Sequence, residues 1–282
     1  MLRRFTPALL LAAASLSAQG TVPLYTDLGT YHKDIASKVP AAQRYFDQGL
    51  RLVYGFNHAE AIRSFTRAAE LDPTCAMCYW GIAYAYGPHV NAGMDSASGV
   101  KAYEAVQKAR ALSAKAPAWQ RAYVEAVGAR YVAVPPAARA NLDSAYSRAM
   151  WAVSRKYPND LDAAALAAES SMDLRPWNYW TPEGKPYPGT TELVKQLESV
   201  IARNPNHPGA CHFYIHAVEA ANPELAVPCA ERLARLMPGE GHMVHMPAHI
   251  YVRVGRYKDA ATSNVHAIHM DETFIEGQPQ PT

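Results

Sequence analysis

One stretch, residues 45–73 (YFDQGLRLVYGFNHAEAIRSFTRAAELDP), limits what this chain can fold into. Tyr45, Gly49 and Leu52 stand where one helix presents an aromatic, a small and a large residue on one face. Ala61, Phe65 and Ala68 mark a second helix, and Asp72-Pro73 stops it. Two short helices of this kind cannot bury their apolar stripes alone, so the pair needs neighbours stacked upon it. The same signal recurs along the chain. Pro205 and Pro238 stand 33 residues apart, one helix pair with nothing added. Pro158 and Pro205 stand 47 apart, and the excess matches a proline-broken insertion at residues 175–189. Pro73 and Pro158 stand 85 apart, two pairs plus long connections near residues 91–99 and 132–137. Departures from the period therefore fall on loops, as stacked repeats require.

The order aromatic–Gly–large, then Ala-x3-Phe, then Pro resembles the tetratricopeptide-repeat (TPR) family, and in particular exported bacterial TPR proteins of unassigned function. The resemblance implies an all-α fold, a right-handed α-solenoid of stacked helix hairpins with loop insertions. About six hairpins are expected over residues 41–274, after a loosely ordered lead-in at residues 21–40. Helix A spans are expected at 41–56, 75–86, 119–131, 161–174, 208–221 and 242–254. Helix B spans are expected at 58–71, 100–114, 138–156, 190–203, 223–236 and 258–270. Residues 275–282 read as a tail or a truncation point. They are no polar capping helix, so the chain is expected to continue in a longer protein or to meet a partner there.

Residues 1–20 have a basic start at Arg3 and Arg4, an apolar run of about a dozen residues and a small-residue end at Ala18-Gln19-Gly20. They read as a secretory signal peptide, which predicts a periplasmic or secreted protein. No other segment is apolar and long enough to cross a bilayer. The net charge of +2 gives no nucleic-acid footprint. Hydrophobic residues make up 49% and charged residues 18%, the balance of a folded chain rather than a disordered one. Cys75 and Cys78 form C-A-M-C at the start of a helix, read as a structural disulfide or two packed thiols. Strand-then-helix redox context and a following His are both missing, which argues against dithiol redox catalysis and c-type haem. Cys211 and Cys229 stand alone in the sequence.

Histidine is distributed unevenly. Eight of the 11 His lie between His207 and His269. His212 and His216 are four apart on one expected helix, and His245 and His249 on the next, so each pair shares a helix face. His212 and His245 are 33 apart, the repeat step, so the pairs occupy equivalent positions in neighbouring repeats. His242 extends the second stripe, and Glu219 lies three beyond His216. By the resemblance these positions face the concave groove. The set His212, His216, His245 and His249, with His242 and Glu219 in reserve, would suit Zn, Cu, Ni or Fe. The bland alternative is that such His hydrogen-bond a peptide or stack among aromatics. His266 and His269 fall on a helix B surface.

Two functions follow. The first is an exported scaffold that binds a peptide or partner protein in its concave groove, with Tyr45, Asn57, Trp80, Tyr84 and Asn91 supplying contacts. The second is an exported metalloprotein built on the His pairs. No His-Glu-x2-His, G-x-S-x-G, phosphate-binding glycine loop or Ser-His-Asp order is present, so no reaction is indicated. The aromatic insertion (Trp177, Tyr179, Trp180, Tyr187) reads as packing over a helix pair or as a ligand-binding lid.

Overall fold

The computed structural model describes residues 22–277. The expected signal peptide lies outside the described residues. Every regular element among the described residues is helical, and none is long and apolar enough to span a membrane. The helices come as hairpins: α1 (Pro40–Tyr54) with α2 (His58–Leu71), α3 (Ala76–Ala85) with α4 (Ser96–Ser113), and α5 (Ala118–Gly128) with α6 (Ala140–Lys156). α7 (Leu161–Met172) pairs with α8 (Thr190–Arg203), and α9 (Pro208–Val218) with α10 (Val227–Leu236) behind a 3-10 turn at Pro223–Ala226. Last come α11 (Gly241–His245) and α12 (Pro247–Arg253), which pack on α13 (Tyr257–Glu276).

Residue size sets how the hairpins join. Phe65 of α2 wedges between Gly49 of α1 and Gly81 of α3, and a methyl group at either glycine would overlap its ring. Caps are local: Asn57, Asp95 and Asp160 each accept a backbone N–H at the start of α2, α4 and α7. Helix α13 runs six residues beyond the expected end at 270 and exposes Val265, Ile268 and Ile275. The helix expected as one piece over 242–254 is broken at Met246, because Pro247 has no N–H to continue the ladder.

The first members of the hairpins form the interior. Helix α7 is buried from Asp162 to Ser170, and every residue of α9 is buried. Helices apolar or small all round belong in the middle of a fold. The first helix closes the arrangement, since α1 packs on both α3 and α9. Gly209 permits this, because a Cβ there would stand 2.4 Å from the Tyr54 ring. Residues 22–39, expected to be loosely ordered, are instead tied down. The Tyr25 N–H donates to Gln48 Oε1 at 2.8 Å, and Arg51 Nε donates to the Tyr31 carbonyl at 2.7 Å. The Gly239 N–H donates to the Asp27 carbonyl at 2.9 Å, while Leu28 and Ile35 are buried. No periodic pattern announces this, because the partners are side chains of helices distant in sequence.

The tie ends at Asp162. Lys33 Nζ lies 3.0 Å from its Oδ2, and the hydroxyls of Tyr31 and Tyr54 donate to its Oδ1 at 2.8 and 2.5 Å. Burial alone would raise this carboxyl; the Lys33 ammonium, the nearby His207 ring and the hydrogen bond from Tyr54 hold it far below the usual range instead. Asp162→Ala is therefore expected to cost about 2–4 kcal/mol, since it leaves the hydroxyls of Tyr31 and Tyr54 without their acceptor, although Lys33 keeps Asp160. Urea unfolding checks this: the midpoint falls, and an unchanged midpoint contradicts the anchoring role.

Candidate metal centre

Five segments bring imidazoles to one end of the interior helices. Helix α9 supplies His212 and His216, α11 supplies His242 and His245, and α12 supplies His249. The start of α2 supplies His58, and the turn after α3 supplies His89. The five predicted His thus meet, and the helix-surface placement of His266 and His269 is also seen, since both are exposed.

The geometry fixes proton positions. His212 Nδ1 lies 2.5 Å from the Tyr54 carbonyl oxygen. A carbonyl only accepts, so Nδ1 carries the proton and Nε2 keeps its lone pair. Glu219 does the same for two rings: His216 Nδ1 lies 3.3 Å from Oε1, and His249 Nδ1 lies 3.0 Å from Oε2. Arg253 Nε adds a contact at 3.3 Å. Glu219 is 4% exposed, yet it stays ionised. Burial raises its carboxyl, but the hydrogen bonds from His216 and His249 prevail and bring it down to about 2.

The Nε2 atoms point inward. His212 Nε2 and His242 Nε2 are 3.1 Å apart, and His245 Nε2 and His249 Nε2 are 2.9 Å apart. His216 Nε2 is buried without a hydrogen-bond partner. Ligand atoms of His212, His216 and His242 all lie within 4.8 Å of one another, as do those of His216, Glu219 and His249. Tetrahedral coordination with metal–nitrogen bonds of ~2.0–2.1 Å puts donor nitrogens about 3.3 Å apart, and the His212–His242 pair stands at 3.1 Å. Imidazoles with outward N–H groups on a carbonyl or carboxylate and inward lone pairs are the arrangement of metal-binding histidine.

Two aromatic rings frame the cluster from strained backbone. Phe56 (φ 60°) and Trp177 (φ 63°) are two of the three non-glycine residues with positive φ among the described residues. Phe56 lies 4.4 Å from both His89 and His212, centroid to centroid. Trp177 stands edge-on to His216 at 4.8 Å and stacks toward His249 at 6.3 Å. Such conformations cost of order 1–3 kcal/mol each and concentrate at functional sites. The insertion therefore does place an aromatic over the His cluster. Its Tyr179 is buried, and Trp180 Nε1 donates to the Ala217 carbonyl at 2.7 Å.

A cavity of about 640 Å³ opens beside His242 and His245, with Phe56, His89, Glu240 and Asp271 in its wall. Asn57 and Asn91, expected as ligand contacts, also line it. Burial pushes the Glu240 carboxyl up to about 8. Trp80 and Tyr84 correct the groove expectation. They are 1% and 2% exposed and stack on each other inside the core, because α3 is enclosed on all sides. Tyr45 is half-buried, and its hydroxyl donates to the Val22 carbonyl at 2.8 Å. Cys75 and Cys78 are joined in a disulfide. His58, His89 and Phe56 escaped sequence reasoning. The signal was present: His58 and His89 each stand four residues past the end of a first hairpin helix, at Tyr54 and Ala85.

Burial holds His58 down to about 3, His89 to about 4 and His242 to about 3, with neighbouring imidazoles and Arg130 adding to it. His212 and His216 are lowered as well, chiefly by burial. All are neutral, ligand-competent imidazoles at neutral pH. Their folded values lie below the unfolded value near 6.5, so their stability contribution is present above that pH and is lost as pH falls. His58, His89 and His242 together predict a loss of about 4 kcal/mol between about pH 7.5 and about pH 5.5 in metal-free protein. Denaturant melts at the two pH values check this, and equal stabilities would contradict it.

No protein-family model matches the chain, and no curated protein matches it. Among solved structures, one described as the crystal structure of MamA protein is similar at 12% sequence identity and a TM-score of 0.34. The match covers 86% of this chain and 98% of that one.

Proposed function

We propose that this protein holds a transition metal in a multi-histidine centre at the end of its helical array. The first ligand set is the Nε2 atoms of His212, His216 and His242, with His249 and His245 adjoining. Glu219 positions His216 and His249 rather than binding the metal. One observation carries this reading: the Nε2 atoms of the buried His212 and His216 converge with that of His242, while the Nδ1–H groups of His212 and His216 face the Tyr54 carbonyl and the Glu219 carboxylate. All-nitrogen donors favour Zn or Cu among the metals the sequence allowed. Three protein ligands beside a cavity leave a coordination position open, where a bound metal would supply a water that ionises near neutral pH. The cavity then gives a small molecule access to that position.

The basic start and apolar run of residues 1–20 support reading the protein as exported. A scaffold that takes a peptide in its groove is the second reading, and it rests on the family resemblance alone. Two of its expected contacts, Trp80 and Tyr84, are enclosed in the core and offer a peptide nothing.

Elemental analysis of tag-free protein dialysed against Zn or Cu tests the proposal. About one equivalent is expected in the native chain, and its loss in His216→Ala and in His242→Ala. Glu219→Gln should keep the metal but weaken binding about 10–100-fold, as removal of an orienting partner does. Trp177 provides a second readout: Cu(II) should quench its fluorescence, and Trp177→Phe should abolish that part of the signal. Metal retained undiminished by both His variants would sink the proposal.

A further inference from the structure

We propose that Cys211 and Cys229 form a second disulfide, which clips α9 to α10. The two residues are 18 apart in sequence and lie on facing, packed helices. Their sulfurs are 2.8 Å apart, and both residues are buried. Unbonded carbon atoms rest at about 3.5–4.0 Å, and sulfur is larger, so this is no ordinary contact between thiols. A disulfide needs only about 0.8 Å of further approach. A second observation points the same way: Cys75 and Cys78 are already joined, so the chain belongs in an environment that oxidises dithiols. The Pro205 carbonyl, 3.5 Å from Cys211 Sγ, and the Arg232 guanidinium, which acts on both sulfurs, are polar neighbours of the pair.

The chemistry balances with a disulfide oxidant such as oxidised glutathione. One thiolate attacks the oxidant and releases one glutathione. The second thiolate displaces the other, the S–S bond forms, and the two thiol protons leave with the products. The position gives the bond a role. Helix α9 carries His212 and His216, and α10 packs on α12, which carries His249. The clip therefore ties two His-bearing helices, one directly and one through a packed neighbour.

Non-reducing digestion of the full chain, equilibrated with oxidised glutathione and alkylated in acidified denaturant, tests this without any variant. The Cys211 and Cys229 peptides are expected as one linked species, lighter by two hydrogens than their sum. Alkylating agent on both cysteines, glutathione on either, or a link to Cys75 or Cys78 would overturn the proposal. Melting gives an independent measure. In a Cys75→Ala/Cys78→Ala background, reductant should lower Tm by about 5–10 °C, and adding Cys229→Ala should remove that response. A background melt indifferent to reductant would overturn the proposal as well. Linked peptides in a chain that takes up no metal would leave the clip standing and sink only the metal centre. Bound metal with unlinked cysteines would do the reverse.

Discussion

The contact between α1 and α9 governs the rest of the molecule, and Tyr54 is its centre. The Tyr54 ring lies against Gly209 where no side chain fits, its hydroxyl reaches Asp162, and its carbonyl accepts a hydrogen bond from His212 Nδ1. One residue thus closes the first hairpin on the fifth, joins both to α7 and sets a tautomer in the His cluster. Residues 22–39 reinforce the closure by threading Lys33 and Tyr31 onto the same carboxylate. Asp162 is worth having there only because its partners are complete; a buried carboxylate with any partner missing destabilises strongly.

Closure changes what the inner wall can do. An open stack of hairpins presents its first helices to a ligand. Here those helices press on one another, and Trp80, Tyr84 and Tyr123 fill the space between them. What remains accessible is the end of the array, where the turns after α1 and α3 meet α9, α11 and α12. The imidazoles gather at that end. Burying so many neutral rings beside one ionised glutamate is a poor way to stabilise a fold, since each ring penalises acid conditions. The strained turns at Phe56 and Trp177 add to the cost. Both costs fall on the same cluster, which is where a bound cation would offset them.

Helix α9 shows why position in the fold matters more than motif. It is the one His-bearing helix that is buried along its whole length, and it touches α1, α7, α8, α10 and α12. Its histidines therefore cannot turn away from the cluster. Those of α11 and α12 are half-buried and follow from the break at Met246, which re-aims His249 toward Glu219.

The hairpin count, the loop positions of the insertions and the convergence of two His pairs were legible in the sequence. All of these depend on helical period and repeat step, which are local quantities fixed by residue spacing. Phe65 between two glycines was likewise readable from size alone. Closure of α1 on α9 was not, nor the packing of residues 22–39, nor the arrival of His58, His89 and Phe56 at the site. Each of those depends on how small rotations between successive hairpins accumulate around the array, and no local pattern encodes that sum. Residue spacing sets which helix faces carry imidazoles. Contact between residues 54 and 209 is a property of the folded array, because it depends on every intervening packing angle at once.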